Sequence, residues 1–497
     1  MNNKYFDDLF IFEMANNHQG DVMHGVKIIK EMAKIARKYN INAGVKLQYR
    51  NLETFIHPDF KNNQEIKHIK RFEETKLSNQ DFYKLVETIK DEGMYAICTP
   101  FDETSVDLCI DHGIDILKIG SCSADDWPLL EKISSARKPI IVSTGGKTIS
   151  DIDKIFNFFT HRKASFAILH CIGIYPVPND KIQMDFIERL KKRYPNIPIG
   201  YSGHEDPENF DIVKTAIAKG AKILERHVGV ETELIKLNKY SSTPSQVDEW
   251  VRSALTIKDI CSLKNKDKYI PQEEIDSLNS LKRGIYASRD IKKGEKINKT
   301  DIFFAMPLQE NQTESGHFHT EMIASKEYKF NEPINEPKKH DTIKLVRSVI
   351  HDAKGMLYEA NISIGDQFEV ELSHHYGMDH FRQYGAIIVN IVNREYCKKL
   401  IIVLPGQQHP NHYHKSKEET FQLLYGDLEV NLENKQILLK PGDILTVERY
   451  KMHSFASNEG AIFEEISTTH IKNDSYYEDE IIRKMDPIER KTILKNW

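Results

Sequence analysis

Two histidines, His412 and His414, stand one residue apart in PGQQHPNHYHKSKEETFQLLYGDLEV (405–430). Four residues separate His414 from Glu419, and His453 follows in KPGDILTVERYKMHSFASN (440–458). On a strand, an H-x-H pair points both imidazoles to one face. Glu419 adds an oxygen, and His453 adds a fourth ligand from a distant strand. Three imidazoles and one carboxylate suit Mn, Fe, Ni, Co or Zn. A second polar set lies at the ends of short apolar runs in the first half of the chain. It comprises Glu13, Lys46 with Gln48, Thr99, Lys118 with Ser121, Ser143 with Thr144, His170, Ser202 with His204, and Glu225 with Arg226 and His227. Lysines and hydroxyls at one rim suit a phosphate or carboxylate. Two neutral imidazoles beside substrate oxygens suit a divalent metal. Together these residues would serve an anionic, phosphorylated substrate and a metal.

The two sets need different scaffolds. The runs in the first half are LFIFEMA (9–15), AGVKLQ (43–48), MYAICTP (94–100), ILKIGS (116–121), PIIVST (139–144), FAILHC (166–171), IPIGYS (197–202) and KILERHV (222–228). They are rich in Ile, Leu, Val and Ala, as strands covered on both faces are. Segments such as GVKIIKEMAKIARKY and SNQDFYKLVETIKDEG separate them, with apolar residues at three- and four-residue spacings. Alternation of this kind predicts a (β/α)8 TIM barrel of about 250 residues, whose chemistry sits where the strands end. An open doubly wound sheet would want a GxGxxG turn after its first strand, and none is present. From about residue 350 the pattern changes to short alternating strands: FEVELSHHY, AIIVNIVN, KKLIIVLP, TFQLLYGDLEVNL, KQILLK and DILTVE. These predict an all-β barrel or jelly roll. The polar stretch 263–280 reads as a linker plus a short helix, and 281–308 as a small β-rich module. The expected domains are 1–265, 280–345 and 350–480, with KFNEPINEPKKHD (329–341) at the second boundary.

Composition narrows the function classes. At 497 residues the chain has room for about three domains. With 40% apolar and 29% charged residues it is no low-complexity or disordered chain. Basic residues number 69 against 74 acidic, so nucleic acid is not an expected partner. The first residues show no signal-peptide pattern and no run of about 18 apolar residues occurs, so neither export nor a membrane span is expected. Six cysteines without a CxxC pair read as buried, reduced thiols of a cytoplasmic protein.

The segments FEMANNHQGD (12–21), AGVKLQ, TPFDETSVD (99–107), LKIGS, IVSTGG (141–146), LHCIGIYPVP (169–178), IGYSGH (199–204) and ILERHV (223–228) come in the order and spacing of a known family. Over residues 9–260 the chain resembles the N-acetylneuraminate (sialic acid) synthases. The resemblance implies condensation of phosphoenolpyruvate with an aldose, release of phosphate and a 2-keto-3-deoxy sugar acid as product. By position, Lys46, Lys118, Ser121, Ser143 and Ser202 would hold phosphoenolpyruvate, with Thr99 nearby. His204 and His227 would bind the metal, manganese in the family, and Glu13, Gln48 and Tyr175 would contact the sugar. The sequence departs from the family at Ser123, where a glutamate is usual, and Asp125 or Asp126 is the candidate replacement. Gly173 and the neighbourhood of Asn238 also differ, which points away from N-acetylmannosamine as the acceptor.

The 281–308 segment resembles the antifreeze-like (SAF) module that follows the barrel in these synthases, which implies a domain-swapped homodimer. Met306-Pro307 stands where the family has an Arg-Pro, so the module's sugar-binding arginine is not evident. The histidine-rich segments resemble the two cupin motifs, and they imply a second divalent metal. AIFEEISTTHIKNDSYYEDEII (461–482) resembles the D-lyxose isomerases, which implies aldose–ketose isomerisation with Glu464 or Glu465 moving a proton. His374 and His375 lie outside the motif and read as surface or core residues, although His375 could line the cavity. His409 reads as a loop residue beside the site. The joint reading is a synthase whose fused cupin isomerises or otherwise prepares the sugar; two alternatives stand beside it, a sugar-sensing or oligomerising cupin and a barrel that binds sugar or phosphoenolpyruvate without catalysis.

Overall fold

The computed structural model describes residues 3–262, 268–337, 342–495 and 497, in two compact units, Met1–Tyr269 and Ile270–Trp497. All eight expected strands form in the first unit. They are β1 (Leu9–Glu13), β2 (Ala43–Tyr49), β3 (Tyr95–Pro100), β4 (Ile116–Ile119), β5 (Ile140–Ser143), β6 (Phe166–Cys171), β7 (Ile199–Gly203) and β8 (Ile223–His227). They close into a barrel in chain order, with every pairing parallel. β1 lies between β2 and β8, so Glu13 stands level with both Lys46 and His227.

The side-chain period of two decides what faces the barrel axis. Ile11, Ile97, Ile116, Ile141 and Ile223 belong to the inner core. Two residues further along each strand stand Glu13, Thr99, Lys118, Ser143 and Glu225, all buried. The same parity corrects the expected rim. His170, Thr144 and Arg226 face the helical layer instead. His170 Nε2 sits 2.7 Å from the Ile182 carbonyl, Thr144 Oγ1 donates to the Leu169 carbonyl at 3.0 Å, and Arg226 donates to the Asp206 carbonyl at 3.0 Å. Asp126 does not replace a site glutamate either. It is the N-cap of the helix Trp127–Ser135, accepting from the Leu129 N–H at 3.3 Å. Asp125 is largely exposed and pairs with Lys147 at 2.8 Å.

The second unit begins with the short helix Gln272–Leu281. An antiparallel pair, Gly284–Ala287 with Ile302–Ala305, then packs around Ile285, Ile291, Ile297, Met322, Tyr328 and Ile334. The all-β part holds a seven-stranded and a five-stranded sheet among the described residues. Each expected strand appears, and TFQLLYGDLEVNL divides at Gly426, whose φ of 77° suits glycine. This domain exceeds the expected range of 350–480 at both ends. The helix Thr342–Glu359 inserts Val349, Ala353 and Leu357 into its core. The strand Lys491–Leu494 pairs with Glu369–His374 at a sheet edge.

All six cysteines are free, but only Cys98, Cys109, Cys171 and Cys397 are buried; Cys122 and Cys261 are exposed, contrary to expectation. Among the described residues no helix is long and apolar enough to cross a membrane.

Candidate functional site

The C-terminal mouth of the barrel gathers four charged side chains out of water. Lys46 Nζ lies 2.5 Å from Glu13 Oε2 and 2.8 Å from Glu225 Oε1. Lys118 Nζ donates to Ser143 Oγ at 2.5 Å and lies 3.8 Å from Glu225 Oε2. Ser202 Oγ donates to Glu225 Oε1 at 2.9 Å. Burial alone would push the Glu225 carboxyl up, but Lys118 and Lys46 overcome it and hold the group at about 2. Burial pulls Lys118 down to about 8, against the attraction of Glu225. Burial likewise disfavours charge on Lys46, and Glu13 with Glu225 more than offsets it, so this ammonium is held above its usual range.

Two buried polar atoms in this mouth make no hydrogen bond, Thr99 Oγ1 and Glu225 Oε2, the latter facing Lys118 at 3.8 Å. A buried group without a hydrogen bond costs about 1–3 kcal/mol, so such atoms mark where a ligand belongs. Ser121 closes the far side, its Oγ accepting the Gly145 N–H at 2.9 Å. A Cβ at residue 145 would stand 2.9 Å from that Oγ, so glycine permits the approach.

His204 and His227 face each other with ring centroids 5.3 Å apart. Both stay neutral, at about 3: burial lowers both, helped by His227 for His204 and by Lys46 for His227. His204 Nδ1 lies 2.9 Å from the Ile172 carbonyl and donates to it, which leaves the Nε2 lone pair free to bind a metal. Tyr175, half exposed, places its ring 4.0 Å from His204, centroid to centroid. Two neutral imidazoles with open positions fit a divalent ion that also takes substrate oxygens. Gln48 bridges outward, donating to Glu13 Oε2 at 3.4 Å and accepting from Arg50 Nη2 at 2.9 Å. Thus the mouth brings together Glu13, Lys46, Gln48, Thr99, Lys118, Ser121, Ser143, Ser202, His204 and His227 but not His170, Thr144 or Arg226, and Ser123 lies buried in the turn Ser121–Ser123.

The second constellation lies in the all-β domain. His412 and His414 come from the strand Gln407–His414, Glu419 opens Glu419–Gly426, and His453 opens His453–Ser457. The ligating atoms of His412, His414 and His453 all lie within 4.8 Å of one another. Glu419 joins them, 3.3 Å from His414 Nε2 and 3.1 Å from His453 Nε2. Each imidazole Nδ1 meets a backbone carbonyl: Pro410 for His412 at 3.0 Å, Asp474 for His414 at 2.8 Å and Lys451 for His453 at 3.0 Å. These bonds fix the tautomer that presents Nε2 inward. His414 Nε2, His453 Nε2 and Glu419 Oε2 are buried without hydrogen-bond partners. That donor set fits a divalent metal.

Beside it, Lys417 bridges Glu419 and Glu465, 3.1 Å from the latter, and Lys399 lies 3.4 Å from Glu465. Of the two expected proton carriers only Glu465 is here; Glu464 points away and pairs with Lys398 at 2.8 Å. His409 is a correction too. It lies buried on the strand Gln407–His414, its Nε2 3.1 Å from that of buried His375.

Sequence reasoning gave no role to three residues that matter. Glu225 is the hub of the barrel network, and its place at a strand end was the available signal. Asp474 accepts the backbone N–H groups of Lys415, Ser416 and Lys417, shaping the ligand loop from 57–59 residues away. Arg50 follows the Lys46 strand and had no distinguishing spacing.

Comparison with known proteins agrees with both architectures. The NeuB family model matches residues 32–266, and the cupin domain model matches residues 399–464. An uncharacterized protein, MJ1065 of Methanocaldococcus jannaschii, is 30% identical over 299 residues, 60% of this chain and 84% of its own length. The chain belongs to the NeuB family. Human N-acetylneuraminate-9-phosphate synthase is 27% identical over 257 residues, 50% of this chain and 69% of the human protein. A solved structure described as spore coat polysaccharide biosynthesis protein E of Chromobacterium violaceum is 42% identical, with a TM-score of 0.63 over 66% of this NeuB-family chain and 97% of the other.

Proposed function

We propose that the barrel joins phosphoenolpyruvate to an aldose, giving a 2-keto-3-deoxy sugar acid of the nonulosonate type and free phosphate. The observation that carries this reading is the buried Lys46–Glu225–Lys118 network, with Thr99 Oγ1 and Glu225 Oε2 left without hydrogen bonds. Lys46 and Lys118, with Ser143 and Ser202, would bind the carboxylate and phosphate of phosphoenolpyruvate. Glu13, Gln48 and Tyr175 would orient the sugar. A divalent metal held by His204 and His227, manganese by resemblance, would polarise the sugar aldehyde as a Lewis acid. Carbon 3 of phosphoenolpyruvate attacks the aldehyde carbon, forming the C–C bond, and the former carbonyl oxygen takes a proton. Water adds to carbon 2, the C–O bond to phosphate breaks, and the keto group remains. The lysines stabilise the negative charge throughout. Phosphate release from phosphoenolpyruvate with manganese and a panel of aldoses, ketoses and N-acetylated hexosamines tests this. Release that depends on one aldose is expected; phosphoenolpyruvate bound but intact with every sugar would sink the reading.

Lys118 supplies a pH dependence. Its ammonium is present below about pH 8 in the ligand-free site and lost above it. A bound anion favours the protonated form and raises its pKa further. Affinity for phosphoenolpyruvate is therefore expected to be flat from pH 7 to 8. Above pH 8 it should weaken, by at most about tenfold per pH unit. Calorimetry without acceptor measures it, and an unchanged affinity at pH 9.5 would remove Lys118 from the anion site.

The same proposal gives the cupin an isomerase step that makes the free aldehyde from a ketose. His412, His414, Glu419 and His453 would hold a divalent metal that binds two sugar oxygens. Burial pushes Glu465 up, and Lys399 with Lys417 more than offset it, so the carboxylate is ionised and able to accept a proton. In the full chain, the double substitution His412→Ala with His414→Ala is expected to stop phosphate release with the ketose and to leave release with the aldose intact.

A further inference from the structure

Beyond Gln48 the barrel mouth continues into a cavity of about 400 Å³, lined by Asn16, His18, Gln48, Arg50, Asn51 and Lys76 among others. Arg50 is the cation that reaches Gln48 from this cavity, at 2.9 Å. Its guanidinium is stacked between two rings, 4.1 Å from the centroid of Phe72 and 3.7 Å from that of Phe101. The stack holds the plane of the fork and leaves its edge for hydrogen bonds. Only Nη2 is used, on Gln48 Oε1; Nε is buried without a partner.

No carboxylate among the described residues forms an ion pair with Arg50. The acidic groups that act on it through space include Glu13 and Asp102. Glu13 is tied to Lys46, and Asp102 caps the helix Glu103–Asp111 through the Ser105 N–H at 2.7 Å. Burial draws the Arg50 guanidinium down to about 10, still charged at neutral pH. Arg50 is half-buried and its charge has no counter-ion, which an anionic ligand would supply. The cavity wall thus presents one guanidinium without a counter-ion, that of Arg50, beside Gln48; Glu53, Asp107 and Asp111 also line the cavity, and none of them pairs with Arg50.

We propose that Arg50 reads a phosphate or carboxylate carried by the acceptor, so that the barrel selects an anionic aldose over its neutral counterpart. This rests on the synthase reading above. It differs from a purely structural role, in which Arg50 only ties the 50–77 segment to the barrel through Phe72 and Phe101.

The test compares aldose 6-phosphates, aldehyde-bearing uronic acids and the matching neutral aldoses, with the full chain. The wild type is expected to favour one anionic class by about 10- to 100-fold in kcat/KM, the range of a charged hydrogen bond. The two anionic panels distinguish phosphate from carboxylate. Arg50→Met keeps an unbranched chain between the rings; it should collapse that preference through KM for the anionic acceptor, with KM for phosphoenolpyruvate unmoved. Arg50→Lys should keep part of it. A wild type indifferent to acceptor charge, an unchanged preference in Arg50→Met, or a rise confined to KM for phosphoenolpyruvate would each overturn the proposal.

Should no sugar support phosphate release, the synthase reading fails, and this proposal is still decided by calorimetry. Hexose 6-phosphate and hexose are titrated with phosphoenolpyruvate saturating, so that the lysine cluster is filled. Tighter binding of the phosphorylated sugar to the wild type but not to Arg50→Met supports the proposal. Equal binding of the two sugars to the wild type overturns it, whether or not the variant folds.

Discussion

Replacing Lys46 by methionine is expected to lower phosphate release from phosphoenolpyruvate by about 10³-fold, the loss seen when a buried charge stabiliser is removed from a reaction site. The physical reason is double. The ammonium would meet the anionic substrate, and it also holds Glu13 and Glu225 apart in charge, at 2.5 and 2.8 Å. Without it two buried carboxylates share one cavity, and breaking a buried pair costs about 3–5 kcal/mol. One of the carboxyls would then take up a proton. Burial already pushes Glu13 up, partly countered by Lys46, and Glu225 adds to the rise, so Glu13 is the one to protonate. A fall in melting temperature should accompany the loss of rate. Pairing Lys46→Met with Glu13→Gln separates the two effects. The double variant should recover stability and stay inactive. Activity within tenfold of wild type in the single variant would exclude Lys46 from the reaction.

Substituting His453 by alanine is expected to remove one equivalent of divalent metal per chain and to leave the barrel's equivalent bound. Of the donors present, His412, His414 and Glu419 remain, but Glu419 already shares a short contact with Lys417. Its loyalty then shifts to that ammonium, which lies buried with it. Metal that binds only the folded chain stabilises it by about 2.7 kcal/mol at a hundredfold excess over Kd. The thermal shift that metal gives the wild-type cupin should therefore vanish in the variant. Metal content by elemental analysis, with melting curves in the presence and absence of a chelator, measures both. An unchanged stoichiometry would show that His453 is not needed to hold that metal.

How much of this was legible beforehand depended on whether the deciding partner was near in sequence. The eight barrel strands were, because a parallel strand covered on both faces is apolar along its length, as IIVS and FAILHC are. Which face a rim residue takes was less so. His170 and Arg226 looked like neighbours of His204, yet one step of parity sends them to the helical layer. The role of Glu225 was out of reach: its partners lie 23 residues away at Ser202 and 179 away at Lys46. In the cupin the cluster of His412, His414, Glu419 and His453 could be read from motif spacing. His409 could not, because the proline after it signals a loop, while the strand accommodates it with a register shift between His409 and His412. The helix Thr342–Glu359 was missed at the domain boundary because much of it is polar and only Val349, Ile350, Ala353 and Leu357 are buried.

The pairing of Lys491–Leu494 with Glu369–His374 bears on how the chain is made. A ribosome has supplied every strand of the barrel once His227 has emerged, because β8 closes on β1 there. The cupin has no such early finish. Its histidine–glutamate cluster is complete once His453 is made, but its sheet still waits for the strand that ends at Leu494. Since domains generally fold as units, N-terminal first, the barrel would be able to bind substrate while the strand Glu369–His374 still had an open edge. A stalled or clipped chain would thus retain the condensing half and expose the other to aggregation.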